Sequence, residues 1–211
     1  MGQVVAYDYE IGDMVTFAGS NWYVIKNSNS NEDYVALIKE RVLTNAELGN
    51  YAYNGTYDTM EYTWTETCHE ANRGYSSYDF SNCDNTNGYA TSKVKEFLEG
   101  TYINTLGADN LKEVDGYKIR LITLEELQQN LGTSTTITAS WYDIDTTIAP
   151  SWVCRNFGNV FAYWTMTPNP DNSSGVWYVL DQGGKVQDSS VLAGSKALGV
   201  RPVINILKNS I

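Results

Sequence analysis

The stretch YWTMTPNPDNSSGVWYVLDQGGKVQDSSVLAGSKALGVRPVINI, Tyr163 to Ile206, sorts its residues into two kinds. One kind is apolar or glycine: Trp164, Met166, Val176, Trp177, Val179, Gly184, Val186, Val191, and then Gly199-Val200-Arg201-Pro202-Val203. Packing accounts for these positions, which read as short strands closing a core. The other kind is small and polar and lies between them, as in Asn169, Asp171, Asp181, Gln187 and Ser190. Solvated turns are the ordinary reading of such residues. A long run of them on a rigid support is also how a displayed binding surface is organised, because loops on a scaffold carry recognition.

Upstream, the chain is organised in the same short units. MVTFAG (Met14–Gly19) and WYVIK (Trp22–Lys26) read as strands joined by a Gly19-Ser20-Asn21 turn, and YVALIKE continues them after a polar turn from Asn27 to Asp33. Gly49 to Asn87 is long, polar and aromatic with no period, and its tyrosines suggest order through ring burial. Helices follow. Ser92 caps SKVKEFLEG, with Val94, Phe97 and Leu98 on one face and Gly100 as its stop. A short helix is expected over Ala108–Val114, then a strand KIRLIT (Lys118–Thr123). A third helix is announced by the capping box Thr123-Leu-Glu-Glu126 and ends at Gly132. Thr133 to Pro150 is polar and Thr-rich, and Trp152, Phe157, Phe161 and Tyr163 return to core character. Strands, then helices, then strands indicate an α+β fold in which the first strands pair with the last.

The chain has 211 residues, enough for one domain with a sizeable core. Sixteen Tyr, six Trp and 17 Gly with only 18% charged residues favour a β-rich, loop-rich domain over a helical bundle or a disordered chain. The net charge of −11, without any Lys/Arg cluster, repels phosphate backbones and anionic membranes, so nucleic acid is excluded as a partner. No apolar run reaches the roughly 20 residues a spanning helix needs, so no membrane insertion by this segment is expected. No basic-then-apolar leader is visible.

Catalytic and metal chemistry find little purchase. Cys68, His69 and Cys83 offer at most three ligands where a structural zinc site takes four. Asp84-Asn-Thr-Asn-Gly88 lacks the terminal acidic residue of a calcium loop, and Asp143 and Asp145 read as turn residues. His69 is the one histidine, with no nucleophile elbow near it. Gln182-Gly-Gly-Lys185 is a hairpin turn and not a phosphate loop. Cys68 and Cys83 lie a feasible disulfide span apart and Cys154 is left over. Three cysteines are no disulfide framework, and the reading favours thiols in a core held by packing. Arg201, alone in a closing strand, reads as a structural hydrogen-bonding hub.

The ordered set WYVIK, SKVKEFLEGTYINTL, YKIRLITLEEL, WTMTP, VWYV and GVRPVINI resembles bacterial and phage domains of the C-type-lectin-like fold, in the branch related to formylglycine-generating enzymes. It looks especially like the variable proteins of diversity-generating retroelements. The likeness runs from about Asp13 to Leu207, leaving out Gly49–Asn87 and the Thr-rich stretch. It implies a single domain over 1–211 with short twisted antiparallel sheets, two to three helices, long loops and paired termini. It further implies a non-enzymatic receptor without cofactor or metal, displayed outside the cell or on a virion, that meets a protein or glycan ligand on another surface.

In that family a reverse transcriptase rewrites adenines at the end of the gene, so surface residues vary while the fold persists. Carried onto this chain, the frame is Trp164, Thr165, Val176, Trp177, Val179, Gly184, Val186, Val191, Gly199, Val200, Arg201 and Pro202. The ligand-facing positions, within 163–202, are Asn169, Asp171, Asn172, Tyr178, Leu180, Asp181, Gln182, Lys185, Gln187, Asp188, Ser189, Ser190, Leu192, Ala193, Ser195, Lys196 and Ala197. The enzymatic relatives carry a reactive cysteine in the segment corresponding to GVRP. Here Pro202 follows Arg201 and no cysteine comes after Cys154, which speaks against an enzyme. A structural or adhesin module of a cell surface, pilus or virion is the alternative expectation.

Overall fold

The structure, a computed structural model, describes residues 9–27, 33–52, 58–61, 89–90, 92–131, 141–143, 149–154, 160, 162–168, 175–180, 185–190 and 197–211. Two antiparallel sheets and a few short helices make it α+β. The first sheet has the order β1-β2-β3-β11-β5, with β1 at Met14–Phe17, β2 at Ser20–Asn27, β3 at Tyr34–Lys39, β5 at Ile119–Arg120 and β11 at Val203–Leu207. The second has the order β6-β9-β8-β7, from β6 at Trp141–Asp143, β7 at Ala162–Pro168, β8 at Gly175–Leu180 and β9 at Lys185–Ser190. A two-residue ladder joins β4 (Met60–Glu61) to β10 (Ala197–Leu198). The helices are α1 (Asn45–Leu48), α2 (Lys93–Gly100), α3 (Leu124–Asn130) and α4 (Ser151–Cys154).

Pairing of the first strands with the last is direct: Val203 lies opposite Ile38 and Leu207 opposite Tyr34. All six residues of β3 are buried. Val35 and Leu37 face one apolar cluster with Ile204 and Ile206, while Ala36 and Ile38 face a second with Val203. A strand covered on both faces needs a continuous apolar run, as YVALIK supplies. Lys39 ends that run as a buried polar residue.

The β1–β2 turn falls one residue earlier than expected, at Ala18-Gly19, because Phe17 pairs with Ser20. Both turn residues have positive φ, 49° and 73°, so the hairpin is of the primed type whose twist matches its strands.

Three of the four helix starts show a side-chain cap. Ser92 accepts from the Lys95 amide, and Thr44 and Thr123 each form a capping box, with Glu47 and Glu126. The Thr44-Asn-Ala-Glu47 box of α1 is a signal of the same local kind. The expected helix over Ala108–Val114 shrinks to one 3-10 turn, Ala108–Asn110. Leu111 bridges Ile206 and the Lys112 amide donates to the Asn205 carbonyl, so the segment adds to the edge of the first sheet. Asp115 and Gly116, at φ 53° and 81°, then fold Val114 back on Tyr117. The KIRLIT strand is confined to Ile119–Arg120, and the Thr-rich stretch contributes β6 instead of only loop.

Arg120 ties β5 to α3 through a two-pronged pair with Glu126, Nη1 to Oε2 at 2.7 Å and Nη2 to Oε1 at 2.5 Å. Burial disfavours the Glu126 carboxylate, but Arg120 and the Thr123 donors outweigh it and hold the carboxyl below the usual range. A carboxyl lowered by folding stabilises fully above its unfolded value, near 4.5, and loses that contribution as pH falls through the lower folded value. Glu126→Gln is therefore expected to lower unfolding stability by about 1–3 kcal/mol at neutral pH, with the gap to the parent closing below about pH 4. Urea titrations of both chains at several pH values measure this, and a gap independent of pH would contradict it.

Candidate functional site

The tail residues divide by sheet geometry. In the β8–β9 register Trp177 pairs with Asp188, Tyr178 with Gln187, Val179 with Val186 and Leu180 with Lys185. Tyr163, Trp177, Val179 and Val186 lie in one apolar cluster with Trp152, Val153 and Cys154 of α4. Trp164, Val176 and Tyr178 lie in the other, with Leu48, Met60 and Phe97. The middle of β8 is thus covered on both faces.

Packing accounts for the frame residues one by one. Trp164 is fully buried, its Nε1 donates to the Met60 carbonyl at 3.2 Å, and its ring meets Tyr178 edge-on at 6.1 Å. Thr165 sits where the β7–β8 register shifts between Trp164 and Pro168. Its hydroxyl donates to the Trp177 carbonyl at 2.7 Å, so the bulge in WTMTP is hydrogen-bonded and not simply broken ladder. The next residues join the bulge to α3, since Met166 N donates to the Ile122 carbonyl and Thr167 Oγ1 accepts from Leu124 N. A Cβ on Gly199 would stand 2.5 Å from Val42 Cγ1 and 2.9 Å from Val160 Cγ2, so no side chain fits there. Gly199 bridges Tyr163 in parallel and hands the chain to Arg201.

Arg201 is fully buried. Its Nε donates to the Lys39 carbonyl at 2.8 Å, Nη2 to the Glu40 carbonyl at 2.9 Å and Nη1 to the Trp152 carbonyl at 2.5 Å. The guanidinium lies 5.1 Å from the Tyr163 ring and 6.0 Å from the Trp152 ring. Burial pushes the Tyr163 phenol up to about 12, against the opposing effect of Arg201. The phenol therefore remains a donor, and it bonds the Val153 carbonyl at 2.8 Å. Arg201 is a hub between the end of β3 and α4, as its isolation in the sequence suggested.

Among the ligand-facing candidates, Tyr178 requires correction. It is 3% exposed and belongs to the core. Its hydroxyl donates to Gln187 Oε1 at 2.9 Å. The aromatic ring that suggested a contact residue is instead the partner of Trp164. Leu180, Lys185 and Gln187 are half-buried and lie with Tyr178 on one face of the hairpin. Asp188, Ser189 and Ser190 occupy β9 opposite Trp177, Val176 and Gly175, and Ala197 lies opposite Glu61. Asn169, Asp171, Asn172, Asp181, Gln182, Leu192, Ala193, Ser195 and Lys196 lie outside the described residues, as do Gly184 and Val191 of the frame and Cys68, His69 and Cys83. Cys154 is buried and in no disulfide among the described residues. Among the described residues no group of three or more His, Cys, Asp and Glu could hold a metal, and no helix is long and apolar enough to cross a membrane.

Two structural partners escaped the sequence reading. Met60 lies within the aperiodic stretch from Gly49 to Asn87, which offers no reason to place it on Trp164. Trp152 read as core, but nothing nearby marked its carbonyl as the third acceptor of Arg201. Comparison with protein-family models, curated proteins and solved structures finds no match to the chain.

Proposed function

We propose that the chain is a non-enzymatic ligand-binding protein on a C-type-lectin-like scaffold. Its binding surface is carried by the loops and strand ends of 163–202 and diversified as in the variable proteins of retroelements. The observation that supports this is the division of labour within the tail. Trp164, Thr165, Val176, Trp177, Val179, Val186, Val200 and Arg201 are buried, tied to both apolar clusters and to α3 and α4. Among the described candidates other than Tyr178, Leu180, Lys185 and Gln187 are half-buried, and the remaining polar candidates fall in β9 or, in sequence, between these strands. A support bonded this way would tolerate exchange of residues outside it, since substitutions away from a packed core usually cost little. Tyr178 belongs to that support, so the surface depends on polar contacts and not on a central tyrosine. The ligand class is a protein or glycan of another surface.

The DNA beside the gene tests this reading. A near-copy of its 3′ end differing at adenines, next to a reverse transcriptase gene, is the expected finding, and its mismatches would fall on codons for the candidates other than Tyr178. Absence of such a copy would overturn the diversified-receptor reading in favour of a fixed structural or adhesin module.

A further inference from the structure

The β1–β2 hairpin and α1 enclose two adjoining clefts that the tail does not share. One, of about 180 Å³, is lined by Ser20, Glu47, Tyr102 and Thr105 with Ala18 and Leu106. The other, of about 270 Å³, is lined by Ser20, Asn21, Lys39, Glu40 and Arg41 with Gly19. Each is open and smaller than the usual ligand pocket of roughly 300–1,000 Å³, and the two meet at Ser20. Ser20 belongs to both, and the primed turn at Ala18-Gly19 holds it at the mouth of the hairpin.

Lys39 is the centre of the arrangement. Its side chain is 9% exposed. Nζ donates to Ser20 Oγ at 3.0 Å and lies 3.2 Å from Glu47 Oε1, with the Trp22 ring centroid at 5.9 Å. Glu47 is itself anchored, its Oε2 taking the Thr44 amide at 2.8 Å and the Thr44 hydroxyl at 3.0 Å. The charged groups are therefore fixed before any ligand arrives.

Several bonding positions here are unspent. An ammonium has three donors, and two of Lys39's are used. The Ser20 hydroxyl accepts from Lys39 and has no acceptor for its own proton among the described residues. Thr105 donates to the Tyr102 carbonyl at 2.7 Å, leaving its oxygen lone pairs. Tyr102 is 4% exposed, lines the first cleft, and its hydroxyl bonds no described residue. Burial and the Glu47 charge push its phenol up, so the hydroxyl keeps its proton. The oxygen is not one of the buried atoms left without a partner, so solvent reaches it and a ligand acceptor can take the place of water there.

The mixture of signs restricts what can enter. An anion seated on Lys39 and Arg41 meets Glu40 and Glu47. A cation seated on those carboxylates meets Lys39 and Arg41. A neutral hydroxyl group avoids both conflicts, because it donates to a carboxylate and accepts from an ammonium or phenol with the same oxygen. We propose that the paired clefts around Ser20 bind a small neutral polyol, with neighbouring hydroxyls spanning Glu47, Tyr102 and Lys39. This site is separate from the tail surface and stands or falls independently of it.

Amide spectra of the full chain, titrated with myo-inositol, methyl β-glucopyranoside, glycine, acetate and methylammonium, test the proposal. The two polyols are expected to shift the amides of Ser20, Asn21 and Thr105. Tyr102→Phe removes a hydroxyl that bonds no described residue, so the remaining spectrum should be preserved while polyol affinity falls about fivefold. Ser20→Ala, on the rim, should weaken the same titration without disturbing the core. The proposal is overturned if the charged probes shift these amides more than the polyols do, if no probe shifts them, or if Tyr102→Phe binds polyol as the parent does.

Discussion

Arg201→Met is expected to remove most of the stability of this protein, on the order of 4 kcal/mol or more, in urea unfolding followed by circular dichroism. The substituted side chain fills similar volume but donates nothing, stranding the carbonyls of Lys39, Glu40 and Trp152. Each buried acceptor left unmade costs about 1–3 kcal/mol, and the whole stability of a domain is about 5–15 kcal/mol. Contact with the Tyr163 and Trp152 rings is weakened as well. Arg201→Lys keeps the charge, but a single ammonium cannot reach three carbonyls arranged around a planar fork, so it should recover less than half of the loss. A loss below about 1 kcal/mol for Arg201→Met would show that water or neighbouring donors replace the guanidinium easily, and the hub would then be incidental.

Trp164→Ala is expected to cost about 3–5 kcal/mol, the range for truncating a fully buried large aromatic. Three effects combine: a cavity opens beside Tyr178, the Met60 carbonyl loses its donor, and β7 loses its anchor in the cluster that holds Leu48 and Phe97. Thermal unfolding and near-ultraviolet dichroism of the aromatic bands measure this. Trp164→Phe should recover part of the packing without the hydrogen bond. A truncation costing under about 1 kcal/mol would mean that the tail strands are not supported through this ring, and the idea of a rigid support under exchangeable loops would lose its basis.

Legibility of the fold followed the range of the interactions that produce it. Ser92, Thr123 and Glu126 announced their helices because a cap is satisfied within four residues. YVALIK and WYVIK announced strands because their apolar character is a property of the run itself. Ala108–Val114 misled because its helix-forming residues are outbid by pairing with β11, nearly one hundred residues away in sequence. The Asp115-Gly116 turn that accompanies that pairing is a hairpin signal, and it is consistent with the strand-like course the segment takes. Tyr178 misled for a related reason. Alternation in β8 places Trp177 and Tyr178 on opposite faces, and a tyrosine on the second face of an antiparallel hairpin is ordinarily free to meet solvent. Here that face is covered by the cluster of Met60, Leu48 and Phe97, and no local pattern in VWYVL records the cover.

Taken alone, the amino-acid sequence determined the α+β class, the return of the last strands to the first, the helix caps, and the role of Arg201 as a polar residue that the core must satisfy. Each of these follows from propensity, local hydrogen-bond closure or the cost of burying a charge. Only the tertiary structure decided that β8 is covered on both faces, that Gly199 is required by Val42 and Val160, and that Lys39, Glu47 and Tyr102 converge on Ser20 around a cleft. Those facts depend on which distant surfaces meet. The free energy of such meetings belongs to pairs of segments, and no single segment carries a trace of its partner.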